Sequence, residues 1–336
     1  MAGVGMNREE LLLSMFDSSG FGLEVGPSFR PLLPKSRYNV ETIDHADATT
    51  LRKKYSDNAS LIEEVDYVSD GGSMLDKIGQ SERYDFILAS HVIEHVPDLV
   101  GFLQDCETLL KPAGQVILAV PDKRYCFDVL RPISTVGQVL QAKIESRDRH
   151  TIGTLYDQDA YACAKSGDIA WMEPDMENIG LLRTPEMAKK VLDADSDTYR
   201  DAHGWQFTPT SFRYIIKTLN VLGFIGLGET NFYKYNSFHQ WTHEFYVCLT
   251  KQAPPITNDD LTLLKEVEKE LRETTVSADH AGPPSDSASL MTAAQNRIAQ
   301  LEHINSALLN STSWRIAAPL RSLKNMLTRL RPPQAP

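Results

Sequence analysis

"FGLEVGPSFRPLLP" at residues 21–34 is the stretch that decides the fold. An apolar run ends at Gly26, and Pro27 and Ser28 follow where the second glycine of a dinucleotide loop would stand. A strand that ends in glycine leaves free backbone N–H groups and lets a ligand approach the backbone closely. The dinucleotide fingerprint G-x-G-x-x-G is absent because Ser28 and Pro31 fill its later positions. The stretch therefore predicts a site for a ligand that carries an adenosine but no pyrophosphate.

Acidic residues accompany three predicted strands in succession. Glu24 lies in the first strand, Asp44 ends the second, and Asp70 ends the third beside two glycines. An acid at a strand end can accept hydrogen bonds from ribose hydroxyls or from an adenine amino group. Each acid alone is more often a turn or cap residue. Their succession favours an adenosine site, with Glu24 near a cationic end of the ligand, Asp44 at the ribose and Asp70 at the adenine.

Apolar strands alternate with amphipathic helices along the chain. A strand that begins at residue 84 is followed by a helix over 98–110 and by a fully apolar strand over 115–121. Farther on, a helix over 208–224 precedes two more strands, which a long loop joins, so we predict that they are antiparallel. Apolar strands that alternate with helices indicate a parallel sheet covered on both faces. The sequence therefore predicts an α/β fold.

Three segments resemble the class I S-adenosylmethionine-dependent methyltransferases: "LEVGPSFRPLLP" (23–34), "TID" (42–44) and "YDFILASHVIEHVPDLVGFLQDCETLLKPAGQVILAVPD" (84–122). The likeness is to the bacterial, type-11-like branch, whose fourth strand runs into an E-H-V/I-P stretch. It implies a doubly wound, mostly parallel seven-stranded Rossmann-like sheet with an antiparallel last strand. It also implies a helical insertion at about 130–205, which would form the acceptor pocket, and S-adenosyl-L-methionine as the cofactor.

The resemblance also implies a set of cofactor-binding residues. In the family, the motif of Glu24 and Gly26 cradles the methionine end of the cofactor, Asp44 holds the ribose, and the acid near Asp70 meets the adenine. Ser28 departs from the family, which has a second glycine there, and this narrows the turn. With the residues that floor the site, the full set is Glu24, Gly26, Pro27, Asp44, Asp70, Gly71, Ala89, Ser90 and His91.

Methyl transfer to a hydroxyl requires that the hydroxyl loses its proton, and histidine is the usual base for such a step. His91 is a catalytic candidate because it lies near the expected cofactor floor. His203 is the second, because it precedes the helix over 208–224 and is followed by aromatic residues. Asp201 and His203 could instead hold a metal, but two ligands without a third led us to predict no metal site. For His95 we favour a packing role at a helix start.

Charged residues after the fifth strand are candidate contacts for the methyl acceptor. Lys123, Arg124 and Asp128 follow the strand over 115–121, at the edge where ligands bind in such sheets. Asp201 completes the substrate-binding set that we predict. The alternative for the first three is a solvated charged loop without a binding role.

The net charge of −11 argues against a general nucleic-acid-binding protein. Four widely spaced cysteines form no CxxC pair and indicate reduced structural thiols in a cytoplasmic protein. We expect no signal peptide, because charged residues interrupt the short apolar run near the N-terminus. No apolar run reaches the length of about 18 residues that a membrane-spanning helix needs.

The composition changes after the last predicted strand. We predict a methyltransferase domain over 1–252, a charged helix over 253–275, a flexible linker over 276–289 and a coiled, basic amphipathic tail over 290–336. From residue 303 onward the chain has five Lys and Arg residues and no Asp or Glu.

The tail predicts partners of its own. Its apolar seam over 290–310 is typical of a homo-oligomer contact, and a basic amphipathic segment with a Trp over 312–331 suggests the surface of an anionic membrane. The "TSWR" and "PLR" sequences resemble the C-terminal segments of bacterial sugar-transfer enzymes that work at the inner membrane. The tail would then contact the inner face of the membrane or a glycosyl-transfer complex, or else dock on a protein partner or on the chain's own core.

These features lead to one main prediction of function. The chain is predicted to be a cytoplasmic, S-adenosylmethionine-dependent enzyme that O-methylates a sugar of a surface polysaccharide or of its lipid-linked precursor. The sugar acceptor depends only on the resemblance of "GPSFRP" and "VPDKRYCFD" to one subgroup and on the tail. Two alternatives stand beside it: a methyltransferase of a small metabolite or lipid, and a non-catalytic scaffold with the same fold.

Overall fold

The computed structural model has a seven-stranded sheet at its centre. The strands are β1 (Gly22–Val25), β2 (Val40–Asp44), β3 (Tyr67–Val68), β4 (Tyr84–Ser90), β5 (Leu110–Pro121), β8 (Gly228–Tyr233) and β9 (Glu244–Thr250), and β6 (Cys163–Lys165) with β7 (Ile179–Leu181) forms a separate antiparallel hairpin. The structure describes residues 7–193, 199–234, 243–251, 253–254 and 256–273. The predicted linker over 276–289 and the tail over 290–336 lie outside these residues.

The strand order confirms the predicted fold class. The sheet runs β3-β2-β1-β4-β5-β9-β8, with β1 to β5 parallel. Strand β9 lies between β5 and β8 and is antiparallel to both. The prediction of an antiparallel last pair is therefore confirmed, and the carboxyl ends of the five parallel strands meet at one edge.

Helices cover both faces of the sheet. They are α1 (Arg8–Leu13), α2 (Ala48–Lys54), α3 (Met74–Ile78), α4 (Leu99–Leu109), α5 (Val136–Ile144), α6 (Ile152–Tyr161), α7 (Pro185–Ala188), α8 (Pro209–Val221) and α9 (Asp260–Arg272). Short 3-10 turns occupy Ser56–Leu61, Ile93–His95, Lys123–Tyr125 and Lys189–Asp193. Among the described residues, no helix is both long and apolar enough to cross a membrane.

Alternation along β4 explains the two-sided core. Ile87 and Ala89 pack into the apolar cluster that contains the inner faces of α4 and α8, whereas Phe86 and Leu88 pack into the cluster around α1. Successive side chains of a strand point to opposite faces, so a strand covered on both sides is apolar throughout. This is why the strand appears in the sequence as an unbroken apolar run.

Some element bounds differ from the prediction. The third strand ends at Val68 and not at Asp70. The strand predicted over 115–121 begins earlier, at Leu110, and its pairing with β4 shifts register between Leu110 and Gln115. Between β5 and α8, the predicted helical insertion also contains the β6–β7 hairpin.

The segment after β5 is buried, so its charged residues are not a solvated loop. The Arg124 side chain is 0% exposed and lies 2.6 Å from the Asp122 carboxylate, which is also 0% exposed. Arg124 donates in addition to the Glu270 carbonyl and to the Glu273 carboxylate, at 3.2 and 2.7 Å. Lys123 is buried as well and donates to the Val129 carbonyl at 2.6 Å. These contacts tie the end of β5 to α9, which packs beside α8.

Replacing Arg124 tests this buried ion pair. Arg124→Met leaves the Asp122 carboxylate buried without its cation, so we expect a loss of about 3–5 kcal/mol in the free energy of unfolding, measured by urea denaturation. The double variant Asp122→Asn/Arg124→Met carries no unpaired charge and should recover part of that loss. Lys111→Met, which breaks a surface pair whose side chains are 41% and 40% exposed, is the control and should cost at most about 1 kcal/mol. Equal losses for Arg124→Met and Lys111→Met would contradict the assignment.

Candidate functional site

A cleft of about 660 Å³ opens at the carboxyl edge of the parallel strands. Gly26 follows β1, Asp44 ends β2 and His91 follows β4, and all three line the cleft. The opposite wall comes from the insertion between β5 and α8, through residues 146–148 and Tyr199 among others. The sheet edge and the insertion thus contribute separate walls of one cavity.

The turn after β1 places backbone against the cleft. Gly26 has φ +65°, and a Cβ at this position would lie 2.7 Å from Cγ2 of Val92, closer than side chains approach. Ser28 adopts φ +51°, the left-handed conformation for which glycine is favoured. Its backbone N–H donates to Asp44 at 3.0 Å. The second glycine of the family is therefore replaced by a serine that takes the glycine conformation.

Glu24 supports the turn from beneath and does not line the cleft. Its carboxylate is 3% exposed and accepts hydrogen bonds from the backbone N–H groups of Leu32 and Leu33, at 2.8 and 3.0 Å. Burial raises the pKa of Glu24 to about 7, and the two backbone donors act in the opposite direction. The acid that we placed near the cationic end of a ligand instead holds residues 27–33 against β1.

Asp44 lines the cleft, whereas Asp70 does not. The Asp44 carboxylate is 4% exposed, accepts from the backbone N–H of Ser28 and lies 2.6 Å from Nδ1 of His45. Asp70 is exposed and is not among the lining residues, and β3 ends two residues before it, at Val68. Gly71 does reach the cleft, and a Cβ there would lie 2.2 Å from the carbonyl oxygen of Asp148 in the insertion.

The residues predicted to form the floor of the cofactor site, together with Pro27, differ in whether they line the cleft. Ala89 is 1% exposed and packs in the core. Ser90 accepts a hydrogen bond from Arg8 at 2.7 Å and does not line the cleft. His91 does line it, in a left-handed conformation with φ +54°. Pro27 forms part of the turn but is not among the lining residues.

The predicted acceptor contacts also differ in whether they reach the cleft. Asp201 lines the cleft and forms ion pairs with His95 at 2.8 Å and with Lys54 at 2.9 Å. The hydrogen bond from His95 is the main reason that the pKa of Asp201 lies well below its ordinary value. Lys123, Arg124 and Asp128 are buried, and the structure does not bring them to the cleft.

Three histidines surround one buried carboxylate beside the cleft; we call these residues the Glu94 cluster. Glu94 is 0% exposed, and its Oε1 lies 3.6 Å from Nδ1 of His91, 3.7 Å from Nε2 of His95 and 4.0 Å from Nε2 of His203. The structure therefore brings both catalytic candidates, His91 and His203, around a residue that we had not singled out. His95 also faces the cleft and is more than a packing residue.

A second carboxylate holds the other ring nitrogen of each histidine. His91 Nε2 lies 2.8 Å from Glu244, and His203 Nδ1 bonds to Asp128. Burial lowers the pKa of His91, but the hydrogen bond with Glu244 and the charge of Glu94 raise it above its ordinary value. The Glu94 cluster therefore combines negative charge with ring nitrogens whose orientation is fixed. The sequence clue to Glu94 is an acid within an apolar run, with a histidine on either side.

A family model described as a methyltransferase domain matches residues 10–217. A ubiquinone biosynthesis O-methyltransferase of Rhodopseudomonas palustris strain TIE-1 is 40% identical over 52 residues, which are 16% of this chain and 21% of the relative. The protein of the same name from Bradyrhizobium diazoefficiens is 31% identical over 81 residues, or 24% of this chain and 26% of the relative. The matches thus span only about a fifth to a quarter of these curated relatives.

Solved structures are similar at low sequence identity. A SAM-dependent methyltransferase from Aquifex aeolicus has a TM-score of 0.36 and 12% identity, and the match covers 73% of this chain and 89% of that one. The CcbJ methyltransferase from Streptomyces caelestis has a TM-score of 0.37 and 13% identity, with 72% and 88% covered.

Ser28 offers a test of the turn after β1. Ser28→Ala and Ser28→Gly both remove the hydroxyl. They differ only in the Cβ atom of alanine, which is unfavourable in the left-handed backbone conformation. We expect the alanine variant to be less stable than the glycine variant by about 1 kcal/mol, measured by urea denaturation. Gly180→Ala, at a position with open space around the added Cβ, should be neutral or stabilising. A Ser28→Ala variant more stable than Ser28→Gly would contradict the left-handed turn.

The titration of His150 provides a test of how the insertion packs against the turn after β4. Its Nε2 lies 2.9 Å from the His95 carbonyl, and burial lowers its pKa to about 4. The unfolded chain then binds the proton more readily, so the contribution of His150 to stability is complete above about pH 6.5 and is lost as the pH falls toward 4. Between pH 7 and pH 5, the wild type should therefore lose about 2 kcal/mol of unfolding free energy relative to His150→Gln. Parallel pH profiles from urea denaturation would contradict this.

Proposed function

The chain belongs to the S-adenosylmethionine-dependent methyltransferases, through the methyltransferase domain family, and on that premise we propose that it methylates a hydroxyl oxygen. The observation that carries the proposal is the cleft between the sheet edge and the insertion. One wall suits the cofactor, and the other carries groups suited to an acceptor. The match to the family model includes the strands and helices that form the first wall.

The residues of the sheet edge fit an adenosine-containing cofactor without a pyrophosphate. Gly26 leaves open the space that a Cβ would fill beside Val92. Asp44 presents a carboxylate at the end of β2, where a ribose is held in nucleotide-binding sheets. Glu24 supports this site through the loop that it holds, and Ser69 and Gly71 form the border beyond β2. We assign Gly26, Asp44 and Gly71 to cofactor binding.

When bound, S-adenosylmethionine would supply an activated methyl group on its sulfonium sulfur: the acceptor oxygen would bond to the methyl carbon as the C–S bond breaks, S-adenosylhomocysteine would leave, and the hydroxyl proton would be released. The protein's part is mainly alignment, because the donor is already activated. The wall of the insertion orients the acceptor, with Tyr199 and Asp201 facing the cleft. The Glu94 cluster is the group of titratable residues beside this wall, and we propose that it promotes the loss of the hydroxyl proton.

For the acceptor, we propose a sugar hydroxyl of a surface polysaccharide or of its lipid-linked precursor. Support comes from the resemblance of "GPSFRP" and "VPDKRYCFD" to one methyltransferase subgroup. The basic tail adds support, because a lipid-linked acceptor would lie at the membrane surface that the segment over 312–331 suits. The tail contact, with the membrane or with a glycosyl-transfer complex, belongs to the same proposal.

A second acceptor class is favoured by a separate observation. The curated relatives that match this chain are named ubiquinone biosynthesis O-methyltransferases. An acceptor from that kind of pathway would be a small molecule and not a glycan. Transfer of labelled methyl from S-adenosylmethionine to fractionated cell-envelope precursors, and separately to quinone precursors, distinguishes the two. Label in neither fraction would argue against both acceptors.

Cofactor binding is the direct test of the site. Wild type should bind S-adenosylhomocysteine in isothermal calorimetry, and Gly26→Arg should weaken that binding by at least about 100-fold, because the side chain fills the cradle. Gly180→Arg introduces the same side chain at an exposed position of β7 and should bind as wild type does. Circular dichroism checks that both variants are folded. Absence of binding by wild type would overturn the proposed function, and unchanged binding by a folded Gly26→Arg would overturn the placement of the cofactor.

A further inference from the structure

We propose that Glu94, His95 and His203 form a binding site for one divalent transition-metal ion, with Zn²⁺ as the ion that best suits these ligands. The three residues offer a carboxylate oxygen and two imidazole nitrogens that all lie within 4.8 Å of one another. Two histidines and one glutamate form a ligand set that zinc uses in catalytic sites, with a further position left open. From the sequence, Asp201 and His203 lacked a third ligand; in the fold, Glu94 supplies the carboxylate beside His203.

The surroundings of the Glu94 carboxylate favour a bound cation. Its side chain is 0% exposed, and neither carboxylate oxygen accepts a hydrogen bond from any residue that the structure describes. A buried carboxylate without hydrogen bonds is several kcal/mol less stable than one in water, so such groups are paired or bind metals. The groups that face its Oε1 are ring nitrogens of His91, His95 and His203.

The distances suit an ion after small movements of the side chains. Ligand atoms bound to a tetrahedral zinc ion at about 2.0–2.1 Å lie roughly 3.3 Å from one another. Glu94 Oε1 is 3.7 Å from His95 Nε2 and 4.0 Å from His203 Nε2. Both nitrogens lie beyond hydrogen-bonding distance from the carboxylate yet face it, which is the arrangement expected of ligands around a central ion.

Outer carboxylates fix the orientation of both histidine ligands. His203 Nδ1 bonds to Asp128, which Arg131 holds in turn at 3.1 Å. His95 Nδ1 lies 2.8 Å from Asp201. Histidines that bind metals usually pair their other ring nitrogen with a carboxylate or carbonyl, and this outer contact sets which nitrogen faces the ion. The arrangement gives Asp128 and Asp201 positioning roles for the proposed ligands.

Backbone contacts bring the ligands together from distant parts of the chain. The N–H groups of Gly204 and Trp205 donate to the carbonyl of Glu94, at 2.7 and 3.2 Å. Arg131 donates to the carbonyl of His203 at 2.6 Å. The loop before α8 is therefore tied to the 3-10 turn after β4, and His203 is held on both sides.

A neighbouring group is less suited to a metal. His91, His243 and Glu244 also lie close enough to share an ion. The Glu244 carboxylate, however, already pairs with the guanidinium of Arg8 and accepts from the Tyr246 hydroxyl. Its negative charge is compensated by a fixed cation, whereas Glu94 has no Lys or Arg partner among the described residues. We therefore assign the metal site to Glu94, His95 and His203.

The ion would border the acceptor wall of the cleft. His95 and Asp201 both line the cavity, so the open position of the ion can face it. A metal-bound hydroxyl has a lowered pKa and loses its proton to a solvent base more readily, which leaves the oxygen as the nucleophile. This consequence rests on the proposed O-methyl transfer, whereas the metal site itself does not.

Metal binding by the full chain tests the site. After treatment with a chelator, the wild type should bind one equivalent of Zn²⁺ in calorimetry, and Co²⁺ should give the visible absorption bands of a site with nitrogen ligands. Glu94→Gln, which keeps the side-chain shape, and His203→Ala should each weaken zinc binding at least about 100-fold. His45→Ala is the matched control, because this histidine lines the same cleft beside Asp44 and should leave the zinc stoichiometry unchanged. Mg²⁺ should not compete, because it prefers oxygen ligands.

Calorimetry with S-adenosylhomocysteine on the same proteins separates the outcomes. A variant that binds S-adenosylhomocysteine normally is folded. If such a variant does not bind zinc, the result supports the metal site. No zinc binding by wild type, or binding that neither Glu94→Gln nor His203→Ala weakens, overturns the proposal. A third outcome is that the wild type binds zinc, that Glu94→Gln and His203→Ala weaken this binding, and that the wild type does not bind S-adenosylhomocysteine. The metal site is then supported and the proposed function is overturned.

Discussion

Two buried carboxylates hold the turn after β1, and the cleft depends on them. Glu24 accepts from the backbone of Leu32 and Leu33, and Asp44 accepts from the backbone of Ser28. A carboxylate that binds backbone N–H groups fixes a loop more firmly than packing alone, because leaving those donors unpaired in the interior is costly. With the loop fixed, Gly26 stays beside Val92 and the edge of the sheet remains open to a ligand.

The electrostatics of the cleft differ between its two sides. The sheet edge near Asp44 carries one buried carboxylate with a histidine beside it. The turn after β4 and the loop before α8 carry the Glu94 cluster, in which each histidine lies between Glu94 and an outer acid. Negative charge that neither hydrogen bonds nor a fixed Lys or Arg compensates favours a cation, or protonated histidines, at that point. This asymmetry is consistent with the proposed division into a cofactor side and an acceptor side.

The sequence predicted the fold well and the site in part, for a physical reason. Strands such as β4 are apolar throughout because both faces are covered, and this pattern is local. Gly26 and Asp44, which stand where strands end, were singled out from the sequence and do line the cleft. By contrast, Arg124 appeared equally suited to a solvated loop, because the contacts that bury it include residues of the distant segment around α9. His91 and His95 stand beside Glu94 in the sequence, but His203 lies more than a hundred residues away, so the full Glu94 cluster could not be predicted from any single segment.

If the cleft binds cofactor and acceptor as proposed, the insertion can determine the choice of acceptor separately from the binding of the cofactor. Its residues form one wall of the cleft, while the other wall is built from strand ends that the sheet itself fixes. Loops on a rigid scaffold can change without disturbing the core beneath them. His203 limits this freedom, because Arg131 and the backbone of Glu94 hold its loop in place. The segment around His203 is therefore constrained, and we propose that the choice of acceptor depends on the cleft-lining residues Lys143, Ser146, Arg147 and Asp148, which lie far from His203 along the chain.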